Sequence, residues 1–248
     1  MTTARPKREL RIVQLLPNMM TVAAICAGLT AIRFASQGNF KLAVQLILLA
    51  AILDGLDGRL ARLLKSESPM GAELDSLADF QNFGIATGLL IYFWAFQDMH
   101  NLGWIAVVVY ALCCVLRLAR FNVSNKSDEP APAHFIGVPA PAGAFLALLP
   151  VFASLAMAND ALFPAPVVGA WIIAIGFLMI SRVPTLSLKA LMIRRGQVRY
   201  AYVAFICFLG ALIGFPWLTL TGLGFAYMIS VAWTWRRHSP TAEDEQDI

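Results

Sequence analysis

Four aspartates stand where an apolar chain has little reason to hold them. Asp54 and Asp57 are spaced i, i+3, and Asp75 and Asp79 are spaced i, i+4, so each pair shares one helix face. A short link near residues 66–70 turns the chain back, which predicts an antiparallel hairpin whose acidic faces meet. An aspartate near mid-span costs about 2.5–3.5 kcal/mol on insertion scales and less toward the interface, and four neighbouring carboxylates repel one another besides. Divalent cations remove that repulsion. An oxygen-only donor set suits Mg²⁺ or Mn²⁺ better than zinc, which prefers His or Cys.

The residues around the acids narrow the chemistry. Gly55, Gly58 and Gly71 remove side-chain bulk beside them, and Ala61 keeps the same surface shallow. Glycine inside a helix costs up to about 1 kcal/mol against alanine, so its use here is close approach of a ligand or another helix. Arg59 and Arg62 bring guanidinium groups that match phosphate oxygens. Metals, phosphate-binding cations and a shallow groove together suit a diphosphate-linked, nucleotide-bearing lipid. Two other readings use the acids alone. They could pair with Arg59 and Arg62 to stabilise the hairpin, or form a proton or cation pathway as in a transporter. A transport site has no need of the fixed glycine spacing or of a phosphate-binding arginine.

The elements that must position these residues are membrane spans. Of 248 residues, 59% are hydrophobic and only 14% charged, against roughly 25% charged in a soluble domain. The mean hydropathy is +0.69. A soluble globule and a disordered chain are both excluded. The net charge of +4 implies no nucleic acid, because Lys and Arg in such a chain first mark the cytoplasmic side. Eight apolar stretches are long enough to be candidate spans: 17–35, 40–64, 71–97, 103–121, 139–158, 165–182, 199–215 and 217–235. Only Pro216 separates the last two. With both termini cytoplasmic, all of the 19 basic residues except Arg33 and Lys41 fall on the inner side. The expected class is an all-α polytopic membrane protein with about eight transmembrane helices.

Residues 7–16 place Leu10, Val13 and Leu16 on one side and Lys7, Arg8 and Arg11 within reach of lipid phosphates, the pattern of a short interfacial helix. The expected organisation is an N-terminal interfacial segment at 1–16, a membrane catalytic domain at 17–235 and an acidic tail at 236–248. The first apolar run is too long for a signal-peptide core and lacks a convincing cleavage site. Cys26, Cys113, Cys114 and Cys207 lie inside apolar runs without metal-ligand spacing. Gly84-x-x-x-Gly88 and Gly210-x-x-x-Gly214 permit close helix packing, within the chain or between two copies.

Written out, the acidic hairpin reads Asp54-x-x-Asp57-Gly58-x-x-Ala61-Arg62-x₈-Gly71-x₃-Asp75-x₃-Asp79. It resembles the signature of the CDP-alcohol phosphatidyltransferase family at every fixed position. Leu16–Thr21 (LPNMMT), Glu73–Phe80 (ELDSLADF) with Phe83-Gly84, Leu116–Asn122 (LRLARFN) and Phe135–Ala144 (FIGVPAPAGA) resemble the branch that uses L-serine as acceptor. Gln81, Asn82 and Thr87 depart from the common pattern.

The resemblance implies an integral enzyme of the cell (inner) membrane, usually a homodimer, with its active site on the cytoplasmic side. It would transfer a phosphatidyl group from CDP-diacylglycerol to an alcohol and release CMP. It further implies that Asp54, Asp57, Asp75 and Asp79 bind two Mg²⁺ or Mn²⁺ ions and that Asp79 acts as general base. Asn18, Thr21, Gly58, Ala61, Arg62, Ser68 and Gly71 would face the donor. Arg117 and Arg120, i, i+3 on the fourth span and close to Asn122, would face the acceptor, where a guanidinium holds a carboxylate by paired hydrogen bonds. Positive-inside anchoring explains the same arginines without a ligand. Glycerol 3-phosphate, an inositol phosphate or choline are the alternative acceptors.

Overall fold

A computed structural model describes residues 15–126, 137–159, 162–181 and 198–238. The described residues form helices and no strand. In chain order these are α1 (Leu16–Ser36), α2 (Phe40–Leu63), α3 (Pro69–Asp79), a π-helical segment (Phe80–Ala86), α4 (Thr87–Ala95), α5 (His100–Lys126), α6 (Ala140–Ala147), α7 (Leu149–Met157), α8 (Ala165–Ile180), α9 (Val198–Gly214) and α10 (Pro216–His238). Most of the expected interfacial helix, the acidic tail beyond His238, and Arg182, Lys189, Arg194 and Arg195 lie outside the described residues.

Each apolar stretch of the sequence corresponds to a helix or a run of helices. Four of these are long and apolar enough to cross a membrane: Leu16–Ser36, His100–Ser124, Ala140–Met157 and Pro216–Thr234. Ala165–Ile180 and Tyr202–Gly214 are shorter apolar helices. The chain is a multi-pass membrane protein. α2 is not among the four because its second half carries Asp54, Asp57, Arg59 and Arg62. The next run is divided by the π segment. The last two stretches are separate helices, broken at Phe215.

The turns that bring the acidic face together have local causes. α1 ends in a Schellman motif: Asn39 N–H donates to Phe34 O at 2.9 Å and Gly38 N–H to Ala35 O at 3.0 Å. Gly38 sits at φ +78°, the left-handed conformation that motif requires. Asn39 then caps α2 by accepting from Leu42 N–H at 3.2 Å. α2 ends in the same way, with Ser66 N–H donating to Ala61 O at 3.0 Å and Lys65 N–H to Arg62 O at 3.2 Å. There the left-handed position, φ 49°, is filled by Lys65. Ser68 caps α3 by accepting from Gly71 N–H at 3.0 Å, with Pro69 in its first turn.

α1 runs along α2, α5 packs on α8, and α7 on α10, while α3 and the π segment lean on α1. The main core gathers Val44, Ile47, Phe83, Leu90, Tyr110 and Phe152, each essentially closed to solvent. α9 stands apart from it. Tyr202, Phe205, Ile206 and Ile213 are exposed along its length, a surface suited to lipid rather than water. Gly84 and Gly88 pack inside the chain, against Phe80 and Cys114 and against Val107 and Tyr110. Gly210 and Gly214 have no neighbour where a Cβ would stand.

Candidate active site

α2 and α3 meet as the antiparallel hairpin their spacing predicts, and α1 closes one side. The three helix ends and the 64–68 link enclose a cavity of about 460 Å³. Asn18 and Thr21 line it from α1, Asp57, Gly58, Ala61 and Arg62 from α2, and Ser68, Gly71 and Asp75 from the start of α3. The structure thus brings together all the residues expected to face the donor with one acid from each pair. Asp54 and Asp79 sit one turn further from the link and face each other across the two helices, close enough to act on one another electrostatically. The four carboxylates act on one another electrostatically, so they form one cluster rather than two separate faces.

Asp57 is 3% exposed. Its Oδ2 accepts a 2.5 Å hydrogen bond from the Thr21 hydroxyl, which also lies 3.1 Å from Pro17 O. Arg62 Nε donates to Gly58 O at 3.2 Å, anchoring the guanidinium along the helix while its end stays exposed at the cavity. A Cβ on Gly58 would meet nothing within 4 Å, whereas one on Gly71 would stand 3.0 Å from Asn18 Oδ1 and 3.1 Å from Ser68 Oγ. Gly58 therefore keeps cavity space open, and Gly71 lets α3 close on α1.

The donor set fits a hard divalent cation. Asp54 Oδ1, Asp57 Oδ1 and Asp79 Oδ1 are buried without a hydrogen-bond partner, an arrangement costly for a carboxylate unless something positive completes it. Every side-chain donor in the cluster is an oxygen. The carboxylates do not form a closed ligand shell: among the described residues no three His, Cys, Asp or Glu side chains are placed to hold one ion.

The expected acceptor residues divide. Arg117 is half-buried, and its charge acts on Asp79. Arg120 is exposed and donates from Nη1 to Ile180 O at 2.9 Å, tying α5 to the end of α8. Asn122 pairs with Ser76 of α3: Asn122 Nδ2 lies 3.0 Å, and Oδ1 3.3 Å, from Ser76 Oγ. Ser66 and Glu67 also line the cavity and were not among the expected residues. The Ser66 hydroxyl is buried there without a partner. Their place in the link between two acidic helices was the available signal.

A hairpin of buried and half-buried carboxylates beside a polar cavity with an arginine fits the class of proteins that handle phosphate esters at a membrane. The sequence profile described as CDP-alcohol phosphatidyltransferase matches residues 14–183, and the chain belongs to that family, whose members are in general metal-dependent phosphotransferases. The chain is similar to the CDP-diacylglycerol--serine O-phosphatidyltransferase of Mycobacterium tuberculosis, at 37% identity over 94% of this chain and 84% of the relative. The same-named protein of Mycobacterium leprae is 36% identical over 98% of this chain and 84% of the relative. That of Helicobacter pylori is 41% identical over 54% and 56%.

Proposed function

We propose that this protein transfers the phosphatidyl group of CDP-diacylglycerol to L-serine, releasing CMP and giving phosphatidylserine. The observation that carries the reading is the cavity between α1, α2 and α3, where Arg62, Asn18 and Thr21 meet a cluster of carboxylates with unpartnered buried oxygens. Similarity to serine-using relatives over nearly the whole chain supports the acceptor.

In this reading Asp54, Asp57, Asp75 and Asp79 hold two Mg²⁺ or Mn²⁺ ions. Bound there, such ions neutralise charge on the diphosphate and on the oxygens that attack and leave. Arg62 and Asn18 hold donor phosphate, with Thr21 and Ser68 beside them. Gly58, Ala61 and Gly71 leave room for the nucleotide against the backbone. Arg117 binds the serine carboxylate, while Arg120 and Asn122 shape the end of α5 around it. Asp79 takes the proton of the serine hydroxyl. The serine oxygen then bonds to the phosphorus that bears diacylglycerol, and the bond from that phosphorus to the bridging oxygen breaks, the electron pair leaving with CMP. Holding both substrates in one cavity supplies much of the acceleration.

The reading includes eight spans, both termini and the cavity on the cytoplasmic side of the cell membrane, and a homodimer. The placement of basic residues supports the orientation. The division into an interfacial segment at 1–16, a catalytic domain at 17–235 and a tail at 236–248 belongs to the same reading.

The test is CMP release by purified protein in detergent, with CDP-diacylglycerol, Mn²⁺ or Mg²⁺, and each candidate alcohol in turn. Release is expected with serine. Release only with glycerol 3-phosphate, an inositol phosphate or choline would overturn the acceptor assignment.

A further inference from the structure

The run from α3 to α4 is not a regular helix. Its backbone passes into the π segment at Phe80, the residue after Asp79. A π turn takes carbonyls out of the α ladder, and such turns gather at functional sites. Here two carbonyls of the segment accept from hydroxyls, one of them, Asn82 O, in addition to its backbone bond from Thr87 N–H. Tyr110 Oη of α5 donates to Phe83 O at 2.8 Å, and Thr87 Oγ1 donates to Asn82 O at 3.0 Å. Tyr110, Asn82 and Thr87 are wholly buried, so no water competes for these bonds.

The other side of the segment meets α1. The Gln81 amide lies 3.3 Å from Ile25 O and 3.3 Å from Leu29 N, placed to donate to the first and accept from the second. Those two atoms belong to one turn of α1, so the amide bridges a rung of that helix. Gly28 makes the approach possible. A Cβ there would overlap Asn82 Oδ1 and stand 2.7 Å from the Gln81 amide. α1 is the helix that carries Asn18 and Thr21, and α5 is the helix that carries Arg117.

We propose that the π turn, clamped by Tyr110 of α5 and by the Gln81–Asn82 amides against Gly28 of α1, fixes Asp79 between the donor-side and acceptor-side helices. Tyr110 and Gly28 are positioning residues for the proton transfer at Asp79. The role of Asp79 rests on the proposed function; the clamp is a property of the chain alone. One extra residue in a turn rotates the helix on its N-terminal side by roughly 100° relative to the helix on its C-terminal side. Relaxation toward a regular helix would therefore turn Asp79 away from its partners. A misplacement of about 1 Å at a reacting group costs on the order of 10²-fold in rate.

The experiment joins hydrogen exchange on the full-length protein, without substrate or metal, to kinetics with CDP-diacylglycerol and serine. In Tyr110→Phe, exchange at amides 80–87 accelerates roughly tenfold while α2 is unchanged. Its kcat falls roughly ten- to hundredfold, with KM for the donor within about twofold. Gly28→Ala shows the same split. Gly28→Ala/Asn82→Ala, which removes the overlap with Asn82 Oδ1 and leaves Tyr110 and the movable Gln81 amide to hold the turn, recovers part of the loss, roughly tenfold over Gly28→Ala. Unchanged exchange in Tyr110→Phe overturns the proposal. So does a loss confined to the fraction of protein that binds CMP, with kcat per binding site intact, or a double variant no faster than Gly28→Ala. If exchange responds but the wild type releases no CMP with serine, the clamp stands and the acceptor assignment falls.

Discussion

The Thr21 hydroxyl of α1 lies 2.5 Å from Asp57 Oδ2 of α2, in a part of the protein closed to solvent. The bond occupies one carboxylate oxygen and leaves Oδ1 unpartnered. A neutral side chain thus orients an acid without neutralising it, and the free oxygen remains available to a cation. The bond also couples the helix that carries Asn18 to the helix that carries the first acidic pair.

Thr21→Val keeps the shape and removes the donor. Loss of one buried hydrogen bond to a charged group costs about 1–3 kcal/mol, so kcat/KM for CDP-diacylglycerol should fall roughly 5- to 160-fold. Thr21→Ser should retain most of the activity. Steady-state CMP release by the two variants checks this, and equal losses in both would show that packing of the methyl group matters more than the hydroxyl.

The unpartnered oxygens of Asp54, Asp57 and Asp79 predict stabilisation by divalent cations. A cation that binds only the folded state stabilises by about 2.7 kcal/mol at a concentration 100 times its Kd. Mn²⁺ or Mg²⁺ should therefore raise the thermal midpoint of the purified protein, and EDTA should reverse the shift and abolish CMP release. Asp57→Asn should lose most of the shift. A midpoint indifferent to both cations in the wild type would count against an ion at this cluster.

The helical class and the meeting of the acidic faces were legible because i, i+3 and i, i+4 spacing on two adjacent helices leaves few alternatives. The α2 and α3 walls of the cavity were legible too, since their glycines and arginine belong to one 26-residue segment, whereas Asn18 and Thr21 of α1 came only from the resemblance. Other features depend on which side of a helix a neighbour occupies. Nothing in the spacing of Arg117 and Arg120 tells which turns toward Asp79 and which reaches the Ile180 carbonyl. The bond from Asn122 to Ser76 crosses 46 residues and depends on where α5, packed against the π segment, passes α3. The π segment was hidden because its sequence, FQNFGIA, reads as ordinary span except for two amides.

Gly58 and Gly71 should respond differently to alanine. A methyl group at Gly58 meets no protein atom within 4 Å and raises helix propensity by up to about 1 kcal/mol, so the thermal midpoint should hold or rise. The same methyl projects where the nucleotide is proposed to lie, so KM for CDP-diacylglycerol should rise roughly tenfold or more. Gly71→Ala presses on Asn18 and Ser68 and should lower both stability and activity. Midpoints measured beside kinetics separate the two cases. A Gly58→Ala enzyme with unchanged KM would remove the nucleotide from that face.

Arg117 and Arg120 offer the sharpest test of the acceptor side, because the two arginines share a helix and a charge but not surroundings. Arg117 is half-buried with Asp79 in its field, so Arg117→Lys loses the planar fork that grips a carboxylate while keeping the charge. KM for serine should rise roughly tenfold or more, with KM for CDP-diacylglycerol nearly unchanged. Arg120→Ala removes the bond to Ile180 O and should lower thermal stability by about 1 kcal/mol with little change in KM for serine. In a double-mutant cycle, Ser76→Ala and Asn122→Ala should couple by about 0.5–1.5 kcal/mol in stability. If Arg120→Ala raised KM for serine and Arg117→Lys did not, the carboxylate would have to lie toward α8, away from Asp79, and the geometry assigned to proton transfer would fail with it.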